Sequence, residues 1–251
     1  MTRVGADHVI FVPVPRTLVG VRGVRGHCRK GAVRVGGVTR SKRVPRVVRE
    51  QQMLDAAVRA FARSGYQHAS MDDIAELAGV SKPLVYLYLN SKEDLFAACV
   101  RREAASLVAA VRGAVERGAP PDRQLWSGLS GFFAHTACHP DGWALLHVQA
   151  RTHGHPYAHE VAAMRTEIVA FVTQLIAAAA RKGARERRLA AAEVSGLAHA
   201  LVGAAESLAD WAGGGAEPDG LPAQEAAATL MNFAWAGLGN LLRGQGWSSA
   251  R

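Results

Sequence analysis

The chain has 251 residues, of which 49% are apolar, and its formal net charge is +9. This length and apolar fraction are enough for one or two domains with a hydrophobic core. Three scattered cysteines are too few for a disulfide framework, and no uninterrupted apolar run reaches the length of about 18 residues that crosses a bilayer. We therefore expect a soluble cytoplasmic protein with no membrane partner.

The positive charge is concentrated at the N-terminus. Residues 1–48 hold 11 lysines and arginines against one acid, Asp7, whereas residues 49–251 carry a net charge of −1. Residues 1–45 have no sustained helical or strand period, which predicts a basic, disordered tail. Three interpretations stay open for it: an arm that lies along DNA phosphates or in a minor groove, a plain charged tail, or a reading frame that starts too early. Composition favours the last two over the first.

The first predicted helix covers residues 49–64. It places Leu54, Ala57, Val58 and Phe61 on one face, and Gly65 ends it.

Two shorter helices are predicted between residues 70 and 92. Ser70 is a suitable N-cap for the first of them, and Gly79 ends it because glycine enters the left-handed conformation without steric cost. Ser81 caps the second, which has Pro83 in its first turn, where a missing N–H does no harm. A small residue, a turn-forming glycine and a branched residue follow one another at intervals of four and six residues. This spacing fits two helices that cross closely. This is the helix-turn-helix pattern, although an ordinary helical hairpin allows the same spacing.

The flanking residues make the pattern specific. The motifs are Phe61 to Tyr66, Ser70 to Ser81, the run Val85-Tyr86-Leu87-Tyr88-Leu89, and Lys92 with Leu95. They resemble the DNA-binding domain of the TetR family of transcriptional regulators, over roughly residues 46–106. The sequence departs from the family pattern at Leu89, where the family usually has Phe, and at Pro83, where it often has Gly or Ala.

Helical periodicity continues to the end of the chain. A long helix from residue 90 to about residue 116 would link the DNA-binding domain to the rest, and five more are predicted at residues 122–137, 143–152, 157–182, 190–212 and 223–243. The resemblance implies that residues 107–251 form a helical-bundle domain for effector binding and dimerisation. The predicted fold class is all-α.

The third helix carries most of the candidate DNA contacts. The resemblance implies that Lys82, Tyr86 and Lys92 contact phosphates and that the outward Pro83, Leu84 and Leu87 meet base edges. Helix N-termini also attract anions. The full candidate set is Ser70, Ser81, Lys82, Pro83, Leu84, Tyr86, Leu87, Tyr88 and Lys92.

The outward positions of this helix are apolar. Pro83, Leu84 and Leu87 have no side-chain donors or acceptors for base edges. We hypothesise that sequence is recognised partly through thymine methyl groups and DNA shape. Leu84 could equally pack against a neighbouring helix.

Large apolar side chains at helical spacing mark the C-terminal half. Most are expected in the core, and some could line a pocket for an apolar or aromatic effector. The candidate pocket residues are Trp126, Phe133, Trp143, His147, Met164, Phe171 and Trp211. They do not identify the effector.

Histidines cluster between residues 135 and 159, with Cys138 among them. They are His135, His139, His147, His153, His155 and His159. Two pairs in this set are four residues apart, which suits a metal on one helix face, so a zinc- or copper-sensing regulator is the alternative function. No carboxylate or second cysteine joins them at ligand spacing, which favours an ordinary histidine-rich surface. We predict no metal or other cofactor.

Together these features predict a sequence-specific DNA-binding transcriptional regulator. The expected mechanism is a ligand-responsive repressor that binds a palindromic operator as a homodimer. The Ala- and Gly-rich last two helices could pack between two copies or within one chain. No nucleophile elbow, phosphate loop or cofactor fingerprint supports an enzyme. A DNA-architectural protein using the tail would bind without sequence preference and lose binding in salt.

Overall fold

The computed structural model describes residues 45–150, 157–183, 189–213 and 221–243, and within these residues the chain is α-helical without strands. The N-terminal helices are α1 (Arg46–His68), α2 (Met71–Ala78), α3 (Lys82–Leu89) and α4 (Lys92–Ala114). They are followed by α5 (Pro121–Cys138), α6 (Pro140–Ala144, continued by π-helical Leu145–Gln149), α7 (Tyr157–Gly183), α8 (Ala191–Gly213) and α9 (Ala223–Leu242). The predicted all-α class is confirmed. The predicted tail falls almost entirely outside the described residues.

Helix α1 begins three residues before the predicted start and buries the predicted apolar face. Its helical geometry breaks at Gly65, which has φ 73° and ψ 162°, and one further turn runs to His68. The glycine therefore interrupts the helix, as predicted, but a last turn follows it.

The remaining predicted helices begin and end within a few residues of the observed ones, except around residues 139–152. The predicted helices 122–137 and 143–152 left a non-helical connection between them, but only His139 (φ −126°, ψ 59°) separates α5 from α6. The expectation was wrong because Pro140 opens the new helix, a position where proline is tolerated. Gly142 lies inside that helix and lets it pack closely against Glu103 of α4.

One continuous hydrophobic core runs from the first helices into the bundle. At the junction, the Phe96 ring on α4 makes edge contacts with Phe61 of α1 at 5.0 Å and with Tyr157 of α7 at 4.7 Å between centroids. Aromatic pairs in this geometry contribute beyond their buried area. The N-terminal helices and the bundle are therefore packed together through these rings.

Helix α7 is the one helix in the described ranges that is long and apolar enough to cross a bilayer, with a mean hydropathy of 1.5. It packs against α4, α5 and α8, and its apolar face, which includes Val161, Ile168 and Ile176, is buried. That burial is typical of a central bundle helix.

Candidate functional site

Helix α2 is held by caps at both ends, and α3 is held by its buried face. The Ser70 hydroxyl accepts a hydrogen bond from the Asp73 backbone N–H at 3.0 Å, which satisfies one of the exposed donors of the first turn of α2. Gly79 ends α2 in the left-handed conformation with φ 66°. Val85 and Leu89 of α3 are buried, which fixes the rotation of α3 about its axis.

The opposite side of α3 is open to solvent. Pro83, Tyr86 and Leu87 are exposed, with Leu87 at 72%, while Leu84 and Tyr88 are half-buried. The Arg46 guanidinium lies over the Tyr88 ring, 5.1 Å from its centroid. The exposed face of α3 is therefore largely apolar, with a phenol at one side.

Polar groups surround this face. The Lys82 ammonium pairs with Asp72 of α2 at 2.9 Å, and this hydrogen bond raises the pKa of Lys82. Both side chains are largely exposed, so the pair is weak and the lysine can exchange its partner. Ser81 precedes α3 without a side-chain hydrogen bond to the first turn of that helix. Its hydroxyl is therefore not used as a cap within the described α3.

Lys92 is held next to this face by two contacts. Its ammonium donates to the Gln67 carbonyl at 3.2 Å and lies 4.8 Å from the centre of the Tyr66 ring. The Tyr66 hydroxyl in turn donates to Glu93 at 2.9 Å; burial, followed by this hydrogen bond, raises the pKa of Tyr66.

Inside the bundle, α4, α5, α7 and α8 enclose a small apolar cavity of about 40 Å³. Of the seven predicted pocket residues, Trp143, Met164 and Phe171 line it. Its polar group is Glu206, which pairs with Arg165 at 3.0 Å. We call this space the inner cavity.

A second space, which we call the outer groove, has a volume of about 590 Å³. It lies between α5, α6, α8 and α9, and its lining includes Phe133, Thr136, Trp143 and Asp210. Two predicted pocket residues, Trp126 and Trp211, line neither space within the described residues, and Trp211 is 56% exposed. His147, also absent from both linings, lies immediately beside Trp143.

A polar cluster joins α6 to α8 at the wall between the two spaces. The Trp143 indole N–H donates to Asp210 Oδ1 at 2.9 Å, and the His147 imidazole contacts the other carboxylate oxygen. The rings of Trp143 and His147 are stacked, with centroids 5.0 Å apart and planes 7° apart. Asp210 was not among the predicted site residues, because no spacing or motif marks it.

Helix α6 also contacts the N-terminal helices. The Gln149 amide oxygen accepts from the Tyr66 backbone N–H at 3.4 Å, directly beside the break in α1 at Gly65. Glu103 of α4 is buried beside Gly142 of α6. The segment that carries Trp143 is therefore in direct contact with α1 and α4.

Arginine and carboxylate side chains link α1 to α4 at the same place. Arg102 donates to Glu103 at 2.7 and 2.9 Å and to Asp55 of α1 at 2.7 Å. Glu103 was not among the predicted site residues, although it lies four residues from both Cys99 and Leu107 on the buried face of α4. A charged residue in such an apolar stripe needs a partner.

The described histidines do not converge on a metal site. His135 and His139 stack with centroids 4.3 Å apart, and the His139 Nδ1 atom is in contact with the His135 carbonyl oxygen. His147 pairs with Asp210 instead, and His159 is exposed on α7. Among the described residues no group of three or more His, Cys, Asp or Glu could hold a metal ion. His153 and His155 lie outside the described residues.

The last two helices carry an exposed apolar surface. A groove of about 520 Å³ runs between α8 and α9, lined by residues that include Leu197, Ala204, Phe233 and Leu241. Phe233 is 77% exposed, and Trp235 on the same helix is 41% exposed.

The chain matches two family models. Residues 53–99 match the model of bacterial regulatory proteins of the tetR family, and residues 121–237 match the model of the tetracyclin repressor-like C-terminal domain. A solved structure of a TetR-like transcriptional regulator from Rhodococcus sp. RHA1 is 37% identical, with a TM-score of 0.67, over 78% of this chain and 98% of that one.

Two curated relatives match over shorter lengths. The transcriptional activator FasR of Mycolicibacterium smegmatis is 37% identical over 119 residues, which is 47% of this chain and 54% of that protein. The transcriptional repressor AcnR of Corynebacterium diphtheriae is 35% identical over 85 residues, which is 32% of this chain and 45% of that protein. The chain thus spans about half the length of these curated relatives.

Proposed function

The chain belongs to the TetR family of bacterial regulatory proteins, and we propose that it is a ligand-responsive transcriptional repressor that binds a palindromic operator as a homodimer in the cytoplasm. The observation that carries this proposal is the solvent-exposed face of α3, a helix whose rotation is fixed by buried Val85 and Leu89. A helix held in this way can enter the major groove with a defined set of side chains toward the bases.

The groups around that face suit a phosphate backbone. In the proposed complex Lys82 exchanges Asp72 for a phosphate, and Lys92, Tyr86 and the Ser81 hydroxyl donate to neighbouring phosphates. Such contacts position the protein without specifying sequence. The Ser70 hydroxyl is already used as a helix cap, so any phosphate contact from this position would come from its backbone.

Sequence recognition would rest on the apolar residues of α3. Leu87 is the most exposed of them, and it can meet a thymine methyl group but cannot hydrogen-bond a base edge. We expect replacement of one operator thymine by uracil to weaken wild-type binding several-fold and to have no effect on Leu87→Ala. Leu77→Ala, which alters an exposed leucine of α2, is the control that should keep the thymine preference. Equal binding to thymine and uracil at every half-site position would contradict methyl recognition.

Dimerisation would use the groove between α8 and α9. Burial of Phe233 and the groove walls against a second copy would remove a large apolar surface from water. We expect Phe233→Glu to sediment as a monomer at concentrations where the wild type is a dimer, and to lose operator binding. Trp211→Glu, also at an exposed aromatic residue of the bundle but outside this groove, should remain dimeric.

The effector would bind in the bundle and act through α6. The inner cavity and outer groove both contact this segment, which in turn meets α1 at Gly65 through Gln149. An effector that binds one arrangement of α6 better than another would shift the population of recognition-helix positions.

The first experiment is a footprint of the full chain on DNA upstream of its own and neighbouring genes at moderate salt. A compact protected palindrome that overlaps a promoter, with reduced transcription in vitro, supports the dimeric repressor. Protection that is diffuse and lost on modest addition of salt would contradict it. Increased transcription from the same site would make the protein an activator.

A further inference from the structure

We infer that Trp143 is a gate inside the effector site. The matching effector is an elongated apolar molecule with a hydrogen-bond donor that replaces the indole N–H at Asp210. This inference rests on the proposed function, because it assigns a chemistry to the proposed effector.

Trp143 lies between the inner cavity and the outer groove, and neither space alone accounts for an effector site. Among the described residues it is the only side chain that lines both the inner cavity and the outer groove. The inner cavity, at about 40 Å³, can hold a few water molecules, whereas a ring the size of benzene needs a cavity on the order of 150 Å³. Outward rotation of the indole would join the cavity to the groove. The joined space would accept a chain rather than a small compact ligand.

The lining fits such a chain. The inner cavity is bounded by apolar side chains of four helices, including Leu129, Phe132 and Ile168, while the outer groove mixes apolar residues with Thr136 and Asp210. An apolar tail would therefore lie inward, and the polar part of the ligand would lie at the wall or in the groove.

The contacts of the indole define what must replace it. Its N–H donates to Asp210 Oδ1 at 2.9 Å, its face stacks on His147, and Phe132 contacts it edge-on at 5.5 Å between centroids. When the indole leaves, one carboxylate oxygen loses its donor. A ligand with a hydroxyl or ammonium group restores that hydrogen bond, whereas a carboxylate at the same place meets the negative charge of Asp210.

The backbone around Trp143 is irregular. The residue lies in a helix of five residues that passes directly into a π-helical turn, Leu145–Gln149. Such turns are rare and are frequently found at functional sites. The gate is thus carried by a short, irregular element rather than by one of the long bundle helices.

The test is calorimetric titration of the full chain with three probes of equal length: 1-octanol, octylamine and octanoate. We expect 1-octanol or octylamine to bind about tenfold more tightly than octanoate, the size of one hydrogen bond to a charged group. Asp210→Ala should abolish this preference. Trp143→Phe, which keeps the apolar bulk but loses the donor to Asp210, should bind 1-octanol several-fold more tightly, and the exposed Trp211→Phe should behave as wild type.

Three results would overturn the inference: octanoate binding as tightly as the other probes to wild type, none of the probes binding to wild type, or Trp143→Phe behaving as Trp211→Phe. The ligand series on wild type remains decisive if a variant fails to fold. The footprint shows whether the gate alone is wrong or whether the proposed function is also wrong. An operator that is protected while none of the probes binds would reject the gate and leave the proposed regulator standing, whereas loss of the operator itself would reject the proposed function.

Discussion

The buried ion pair between Arg102 and Glu103 offers a direct test of how α4 is attached to α1. The Glu103 side chain is only 9% exposed, and Arg102, at 23%, bridges it to Asp55 of α1. Arg102→Met keeps most of the side-chain volume but leaves the carboxylate buried without its guanidinium. We expect this variant to be strongly destabilised.

The size of the effect follows from the burial. Removal of one partner from a fully buried pair costs about 3–5 kcal/mol. Because the Arg102 side chain retains some exposure, we expect a loss of about 2–3 kcal/mol in the free energy of unfolding, or a decrease of about 1 M in the urea midpoint. Arg102→Met combined with Glu103→Gln should recover part of the loss, because the amide removes the buried charge.

The measurement is urea unfolding at one fixed protomer concentration, because dimerisation would make the midpoint depend on concentration. Lys82→Met is the matched control: its pair with Asp72 has side chains 46% and 67% exposed, so its loss of stability should be far smaller than that of Arg102→Met. Equal losses for Arg102→Met and Lys82→Met would refute the reasoning from burial. A double variant no more stable than Arg102→Met would show that the buried charge is not the cause.

Three further predictions concern local features. Ser70→Ala should lower the free energy of unfolding by about 1 kcal/mol because it removes a helix cap, whereas Ser81→Ala, which makes no side-chain bond to the first turn of the described α3, should leave urea unfolding unchanged. Gly142→Ala should cost about 1–3 kcal/mol, because its Cβ would meet the Glu103 carboxylate, which is buried and held by Arg102 and so cannot simply swing away. Gly196→Ala in α8, with no described atom within 4 Å of its Cβ, should stabilise by about 0.5–1 kcal/mol. Burial, followed by a neighbouring imidazole, lowers the pKa of His135 from 6.5 to about 4. As the pH falls from 6.5 to 4, the unfolded chain binds a proton at this histidine and the folded chain does not, so the free energy of unfolding should decrease over that range. Unfolding curves of His135→Gln should lose that part of the pH dependence.

The helix-turn-helix could be predicted in detail because its signals are local. A side-chain cap and a left-handed glycine bound α2, a proline opens α3, and each helix has one apolar face, all of which can be recognised without reference to distant residues. Helical periodicity places Leu77 on the same side of α2 as buried Ile74, yet Leu77 is 44% exposed. In a helix of eight residues Ile74 and Ala75 already fill the contact with the core, so a neighbouring leucine can remain outside it.

The effector site could be predicted only in part, because periodicity reports burial but not which cavity a side chain meets. Trp143, Met164 and Phe171 line the inner cavity, yet Phe133 lies in the outer groove and Trp211 faces solvent. The polar partners that shape the site come from helices far apart in sequence. Their pairing depends on how α6 and α8 pack, which no local pattern encodes.

Helix α6 connects the proposed effector site to α1. Trp143 and Gln149 lie on the same short segment, so an indole displaced by a ligand is accommodated by side-chain rotation or by movement of the segment itself. Movement would alter the contact of Gln149 with α1, where a Cβ on Gly65 would be 3.3 Å from the amide oxygen. Gly65 has φ 73° and the helix is already broken there. A small displacement of the backbone of α1 is therefore easiest at this residue. A ligand that acts only by rotating Trp143 would leave that contact unchanged and could not use this route to α3.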